Sequence, residues 1–461
     1  MFLQAGQRPT SAGYDCIVIG SGPAGMTTAL RLAEAGKRVL IVESDSGNGD
    51  LPFSVGYGHL AGTYWNAHSI RALGGTSNAW TGWTSPLRAI DFNHPTIGVS
   101  WPITLDDVLP YYRLAAPFLE RHPSTADNRD QVVLPGWIYH PFAVQTPTRF
   151  GEKYRGTLTS SKTIDVALGV SIVSLGASAG RSSLTALHAF DHTSHTPFDM
   201  PVTPAQSVVV AAGGMGNAQL LLQPRADGAT PVGNESGLAG RFLMEHPHVY
   251  GAAESILGSD LSRFTPPRRF GRSVHALIPE LAVEREHGLM GCSLNFNHQN
   301  QEHELIRTFA RPGMPFYHYQ IDVRSEMRPT AANHVFLTGE RSPSGVFRPA
   351  ARCVFSAEDL LNVDTTLRLL GESLIAQQRG RVRINNDVLY REATGGGHIM
   401  GTTRMGRSRA DSVVDRDCRV HGYVNLFVAG SSVFPTGGFA NPTFTIVALA
   451  VRLADEIARR G

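Results

Sequence analysis

The sequence predicts an α/β chain: a doubly wound nucleotide-binding domain, with a second α+β domain built on a largely antiparallel sheet. Three observations carry this. A short apolar run, 14–20, leads directly into Gly20-Ser21-Gly22-Pro23-Ala24-Gly25, a GxGxxG turn placed between a strand and a helix. A second apolar run, 207–214, also ends in glycines. From about residue 250 to 385 the pattern becomes strand-like, as in a sheet of consecutive antiparallel strands. At 461 residues the chain exceeds one ordinary domain, so two subdomains are expected.

Residues 14–20 read as a parallel strand buried on both faces. A helix is expected over 24–35, with Leu30 and Ala33 inward and Gly36 ending it. The next strand, 38–43, ends in Glu43, about 20 residues beyond the turn, where a Rossmann-like site places its acid. Gly20, Gly22 and Gly25 let the backbone approach a pyrophosphate, and the helix N-terminus supplies amides and positive potential. Glu43 is placed to accept a ribose hydroxyl. A glycine turn without a ligand is the plainer alternative, and strand, helix and acid together weigh against it. The fingerprint does not separate NAD from FAD. Residues 71–83 add Gly74, Gly75, Thr76 and Thr81, a loop of small residues against which a flat ring can lie.

Further along, 105–120 has helical spacing interrupted by Pro110 and Pro117. Residues 121–150 lack periodicity and read as a loop near the substrate entrance. Residues 163–175 read as a strand pair and 183–190 as another strand. The run 207–214, with a helix from 217, is expected in the same sheet as 14–20. Antiparallel strands are expected at 275–278, 291–296, 314–323, 333–338 and 352–355. A helix over 356–378, with Leu360, Leu361, Leu367, Leu370 and Leu374 on or near one face, covers them. The nucleotide domain is thus discontinuous, 1–95, 180–250 and 386–461. The substrate domain takes 96–179 and 251–385.

Composition excludes several function classes. Net charge is +2, which gives no footprint for nucleic acid. Arg268, Arg269 and Arg272 read as a solvated loop. The four cysteines are far apart with no CxxC, which argues against zinc, a redox dithiol or disulfides. His246 and His248 lack a carboxylate or Cys to complete a metal site and read as packing or surface. No metal is expected. No apolar run reaches spanning length and the N-terminus has no apolar leader core. The expectation is therefore a cytoplasmic protein without membrane partners. Glu326 and Arg328 read as structural charges rather than substrate contacts.

Together the motifs resemble the glucose–methanol–choline (GMC) family of flavin-dependent oxidoreductases. The likeness runs through the GSGPAG turn, Gly74-Gly75-Thr76-Ser77, Trp101-Pro102, Phe150-Gly151-Glu152, the stretch 210–213 and Met244-Glu245-His246-Pro247. It is most specific at the C-terminus: 398–406, 414–422, 425–435 and Asn441-Pro442-Thr443. The GTTRMG and ANPT versions are similar to the branch of pyranose 2-oxidases and related sugar dehydrogenases. The resemblance implies FAD, with Gly213, Gly430, Ser431 and Thr443 joining the cofactor site. It places Thr81 near flavin N5 and C4=O, although a plain loop hydroxyl is nearly as good a reading. His398 and Asn441 match the family's two catalytic positions. One departure stands out. Pyranose 2-oxidases attach FAD through a His before the Trp of the flavin loop, and that position here is Ala79, so the FAD is expected to be non-covalent.

The implied reaction is oxidation of a secondary alcohol of a sugar, glycoside or cyclitol to the ketone, with hydride passing to flavin N5. The proton needs a base that is free near neutral pH, which suits imidazole; His398 takes that role. Asn441 would orient the hydroxyl and bind developing alkoxide charge. It could also cap the helix expected from Pro442 to Arg459, and both roles can hold together. The amides of that helix, at Thr443 above all, are expected at the flavin N1–C2=O edge. Arg404 reads as loop support. The partners expected are a polyhydroxylated small molecule and oxygen or a quinone-type acceptor. A lyase or other non-redox flavoprotein on the same fold is the alternative.

Overall fold

In the computed structural model, the residues described are 1–4, 6–44, 55–58, 60, 62–127, 130–180, 182–225, 228–258, 272–299 and 316–460. Arg268, Arg269 and the start of the strand expected at Met314 lie outside them.

The nucleotide sheet is parallel and five-stranded, in the order Leu426–Val428, Ser207–Val210, Cys16–Ile19, Val39–Glu43, Ile164–Leu168. Its central strands are fully buried because helices cover the sheet, which is why they read as unbroken apolar runs. The helix Pro23–Glu34 starts with Pro at its first turn, where the missing N–H costs nothing. It packs on the C-terminal helix Thr443–Arg460, and Arg31 bonds Asp455 at 2.7 Å across that contact. The two runs 14–20 and 207–214 do share one sheet, with Cys16 opposite Ser207.

The second sheet is antiparallel and nine-stranded. Its main path runs Gly380–Ile384, Pro247–Leu257, Tyr317–Ser325, Cys292–His298, Arg272–Pro279, Trp137–Val144, Trp83–Thr84. The helix Ala357–Ala376 lies against it, opened by a capping box in which Ser356 Oγ accepts from Asp359 N at 3.1 Å. Leu360, Leu367, Leu370 and Leu374 are buried under the helix, whereas Leu361 is exposed.

Four expectations are corrected. Residues 121–150 are not all loop: Trp137–Val144 is a strand inside the antiparallel sheet. Trp137, Tyr139, Phe142 and Val144 point inward, but His140 and Pro141 mask the alternation. The segment 163–175 holds two strands that do not pair with each other. Ile164–Leu168 closes the nucleotide sheet, and Val170–Ala177 joins a separate antiparallel sheet with Leu184–Asp191 and Thr196–Pro201. So one strand of the segment 96–179 belongs with the nucleotide sheet, while Trp83–Thr84, within 1–95, joins the substrate sheet. Finally, His334–Arg341 and Phe347–Cys353 stand apart from the large sheet: they pair with each other, and Phe347–Cys353 pairs with Val55–Gly58 on its other side.

Among the described residues, no helix is long and apolar enough to cross a membrane, and no group of three His, Cys, Asp or Glu is placed to hold a metal ion. All four cysteines are buried and free.

Candidate active site

A cavity of about 370 Å³ runs from the Gly20–Ala24 turn to His398 and Asn441. Glycine makes its walls possible. A Cβ on Gly75, itself at φ +54°, would come 2.9 Å from Gly22 Cα, so the two glycine turns can meet only without side chains. A Cβ on Gly213 would touch nothing within 4 Å, so its backbone faces open space. Glu43 lines the same cavity, and its Oε2 accepts from Ser21 N–H (2.8 Å) and Ser21 Oγ–H (2.6 Å). The carboxylate therefore also holds the glycine turn to the end of its strand. At the far side Thr443 opens the C-terminal helix at the cavity wall, with amides that have no carbonyl a turn earlier to bond. A cavity lined by the glycine turn at one helix start, a carboxylate bound to that turn and a second helix start fits an adenine dinucleotide.

All the candidate site residues line this cavity except Gly25 and Gly74. Those two are structural. A Cβ on Gly25 would press on the Gly20 carbonyl, and one on Gly74, at φ +91°, on the Gly151 amide. The Phe150-Gly151-Glu152 motif thus buttresses the loop that carries Gly74 and Gly75. Thr76, Thr81, Gly430 and Ser431 are all at the wall, as is Ala79, which offers no nitrogen for a covalent link.

The chemistry sits where His398 meets Asn441. Asn441 Nδ2 lies 2.8 Å from His398 Nε2. With the amide donating, Nε2 carries the lone pair and Nδ1 the proton. His398 Nδ1 then donates to His246 Nδ1 at 2.9 Å, and the backbone of Gly437 and Gly438 lies beside His246 on its other side. His246 then carries its own proton on Nε2, which has no hydrogen-bond partner among the described residues. Burial pushes the His398 pKa well below its ordinary 6.5, and His246, His248 and Arg324 add to the shift. Burial likewise holds His246 at about 4 and His248 well below 6.5. All three rings are neutral at pH 7. Asn441 Oδ1 has no partner among the described residues, leaving an acceptor beside the unprotonated Nε2 of His398.

A buried carboxylate supports this corner from below. Glu245 Oε1 accepts from His398 N–H (2.5 Å) and Tyr64 Oη–H (2.5 Å), and Oε2 accepts from Gly396 N–H (3.0 Å) and His246 N–H (2.8 Å). Tyr64 Oη in turn accepts from Gly397 N–H at 2.6 Å. Burial raises the Tyr64 pKa, and Glu245 adds to it, so the phenol stays a donor. Burial also lifts Glu245 to about 7, against the four donors that favour its ionised form. A second carboxylate serves the Asn441 side. Glu326 Oε1 accepts from Gly437 N–H (3.1 Å) and Gly438 N–H (2.8 Å), which fixes the turn before Asn441; burial lifts it to about 8. Arg328 bonds Thr96 O (3.0 Å) and pairs with Glu358 (3.4 Å), and Arg404 lies over Phe242 while donating to Asp411 O. Both are structural, as expected.

The sequence reading missed Tyr64 and Glu245. Of its two readings for His246 and His248, packing or surface, the structure shows packing: both are buried beside His398, with ring centroids 4.9 and 5.6 Å from it. The available signal was the stretch 244–248 itself, where two residues apart on extended chain face the same way.

Comparison with known proteins bears on the cavity directly. Residues 329–450 match a family model described as GMC oxidoreductase, and residues 15–79 match an FAD binding domain model. The chain is similar to 2-methyl-1,2-propanediol dehydrogenase of Mycolicibacterium austroafricanum, 25% identical, with 97% of this chain and 95% of that protein covered. Over 62 residues it is 52% identical to C-glycoside 3-oxidase of Arthrobacter globiformis, which covers 13% of this chain and 12% of the relative. Among solved structures, formate oxidase of Aspergillus oryzae RIB40 superposes with a TM-score of 0.61 at 15% identity, covering 98% of this chain and 99% of that one. That likeness speaks for the fold.

Proposed function

The chain belongs to the GMC oxidoreductases, FAD-dependent enzymes acting on CH–OH groups, and on that premise we propose that it oxidises a secondary alcohol of a sugar, glycoside or cyclitol to the ketone. The observation that carries this reading is the 2.8 Å pairing of a neutral His398 Nε2 with the Asn441 amide at the end of the cofactor cavity. FAD, when bound, supplies the hydride acceptor. A substrate hydroxyl entering between the two side chains donates to His398 Nε2 and accepts from Asn441 Nδ2. His398 takes the proton as the C–H bond breaks, and the Asn441 amide binds the charge left on oxygen. The ring pair with His246 keeps Nε2 unprotonated and aimed. A local likeness to a C-glycoside oxidase supports a polyhydroxylated substrate.

The decisive measurement is anaerobic bleaching of the flavin across sugars, glycosides and cyclitols, followed by reoxidation with oxygen or a quinone. Bleaching by no polyol, with FAD fully bound, refutes the proposal.

The pH profile gives a second test. His398 has a depressed pKa, so the base is already free at 6.5 and is lost only as pH falls through its lower folded value. kcat/KM is therefore expected to stay level from pH 8 down through 6.5 and to decline below it. Glu245, at about 7, bonds the backbone of His398 rather than its ring. An acid limb at or above 6.5 that survives Glu245→Gln would remove His398 as the base.

A third expectation concerns attachment. With Ala79 at the wall, acid precipitation is expected to release yellow FAD into the supernatant. Flavin left in the pellet would show a covalent bond.

A further inference from the structure

The face of the antiparallel sheet beside the three histidines carries a cation, Arg324, that has no counter-ion among the described residues. Arg324 lies in register with His248 on one neighbouring strand and with Ser293 on the other. Residues directly opposite across strands share a face, so Arg324 stands next to His248, one side chain removed from His398. The guanidinium is held in place: it lies over the Trp83 ring, 4.8 Å from the centroid, and its Nη1 donates to Asn295 Oδ1. Its Nε and Nη2 make no bond to any described residue.

Neighbouring charges are otherwise engaged. Asp322, two residues along the same face, accepts from Gly251 N–H (2.8 Å), Gln320 Nε2 (3.0 Å) and Asn297 Nδ2 (2.5 Å), and it forms no ion pair with Arg324. Glu254 is 3.9 Å from Arg383 and 4.0 Å from His318. Tyr250 donates to or accepts from His248 at 3.0 Å. Burial pushes the Arg324 pKa down, with Tyr250 and Asp322 only opposing it, yet guanidinium stays charged at neutral pH. The cation is fixed by a ring on one side and an amide on one edge, its remaining planar edge is bonded to no described residue, and its charge reaches His398.

We infer that Arg324 receives a carboxylate of the substrate, so that the alcohol oxidised belongs to a uronic acid, its glycoside or a comparable polyhydroxy acid. The inference rests on the proposed alcohol oxidation and narrows its substrate. A planar monoanion matches one free guanidinium edge by two parallel N–H···O bonds. A phosphate dianion would call for further cations, and Arg383 on the same face is already taken by Glu254.

The test uses the FAD-loaded protein and matched sets: methyl glycosides of glucose, galactose and mannose, the corresponding uronates, and the uronamides that keep shape and remove charge. Binding is read by calorimetry and turnover by anaerobic bleaching. At least one uronate is expected to exceed its amide roughly 10- to 100-fold in affinity and in kcat/KM, the scale of a charge-assisted hydrogen-bond pair. Arg324→Gln is expected to bring that ratio close to one, and Arg324→Lys to restore part of it. The wild-type ratio needs no variant, so a Gln protein that loses FAD does not blunt the test. Uronates binding no better than their amides, or not at all, overturn the inference while neutral glycosides that bleach the flavin leave the alcohol oxidation standing. Ligands that bind without bleaching count against the oxidation instead.

Discussion

His398→Ala is expected to keep its FAD and to slow anaerobic flavin bleaching by roughly 10²–10⁴-fold, the usual contribution of a positioned base. The retention of FAD follows from where the loop is held. Glu245 bonds the backbone N–H of His398, not its ring, and Ala keeps that amide. The glycine turn, Glu43 and Thr443 lie at other parts of the cavity wall. Truncation does leave His246 Nδ1 and Asn441 Nδ2 without the ring that joined them, so a purely structural role would also slow the reaction. Added imidazole separates the two. If His398 is the base, small imidazoles should restore bleaching in proportion to their unprotonated fraction, and Asn441→Ala should show no such rescue. Near-normal bleaching by His398→Ala, with unchanged flavin content, would remove it from the chemistry.

How much of this was legible in the sequence follows the distance over which each feature is assembled. The nucleotide fingerprint is contiguous: Gly20, Gly22 and Glu43 sit on one strand–helix–strand unit, so spacing alone reports it. The C-terminal block carries His398 and Asn441 within 43 residues of one another, and its helix begins where Pro442 allows. The supports are different. Tyr64 meets Glu245 across 181 residues, and Glu245 meets His398 across 153. Neither pairing leaves a local pattern, because each side supplies a single residue to the contact. Ile164–Leu168 was grouped with the wrong neighbour for the same reason, since its partner is Val39–Glu43 rather than the strand that follows. Arg324 is hidden among the other polar residues of an alternating strand, and what sets it apart, the lack of a counter-ion among the described residues, is a tertiary fact.

Glu245→Ala is the other substitution with a large expected effect, and it acts on the fold and the site together. It removes the acceptor of three backbone N–H groups and one phenol in a fully buried place. An unmet buried donor costs about 1–3 kcal/mol. Even if water reaches two of the four, a loss of about 2–6 kcal/mol in unfolding free energy is expected by denaturant titration. His398 then loses its backbone anchor, and bleaching should slow at least roughly tenfold. Glu245→Gln separates position from stability. Its one oxygen can serve two of the four donors, so the loop is partly held, while the titrating group is gone. The sign of the pH effect follows from the wild-type pKa of about 7, raised by burial from 4.5. A group raised on folding gives its full stabilisation below the unfolded pKa and loses it as pH rises through the folded one. Wild type should therefore lose stability relative to Gln between pH 4.5 and 7. The depressed histidines act in both proteins and cancel in that difference. A wild-type advantage that instead grows with pH would mean that the four donors, not burial, govern Glu245, and that it stands ionised beneath His398 throughout the working range.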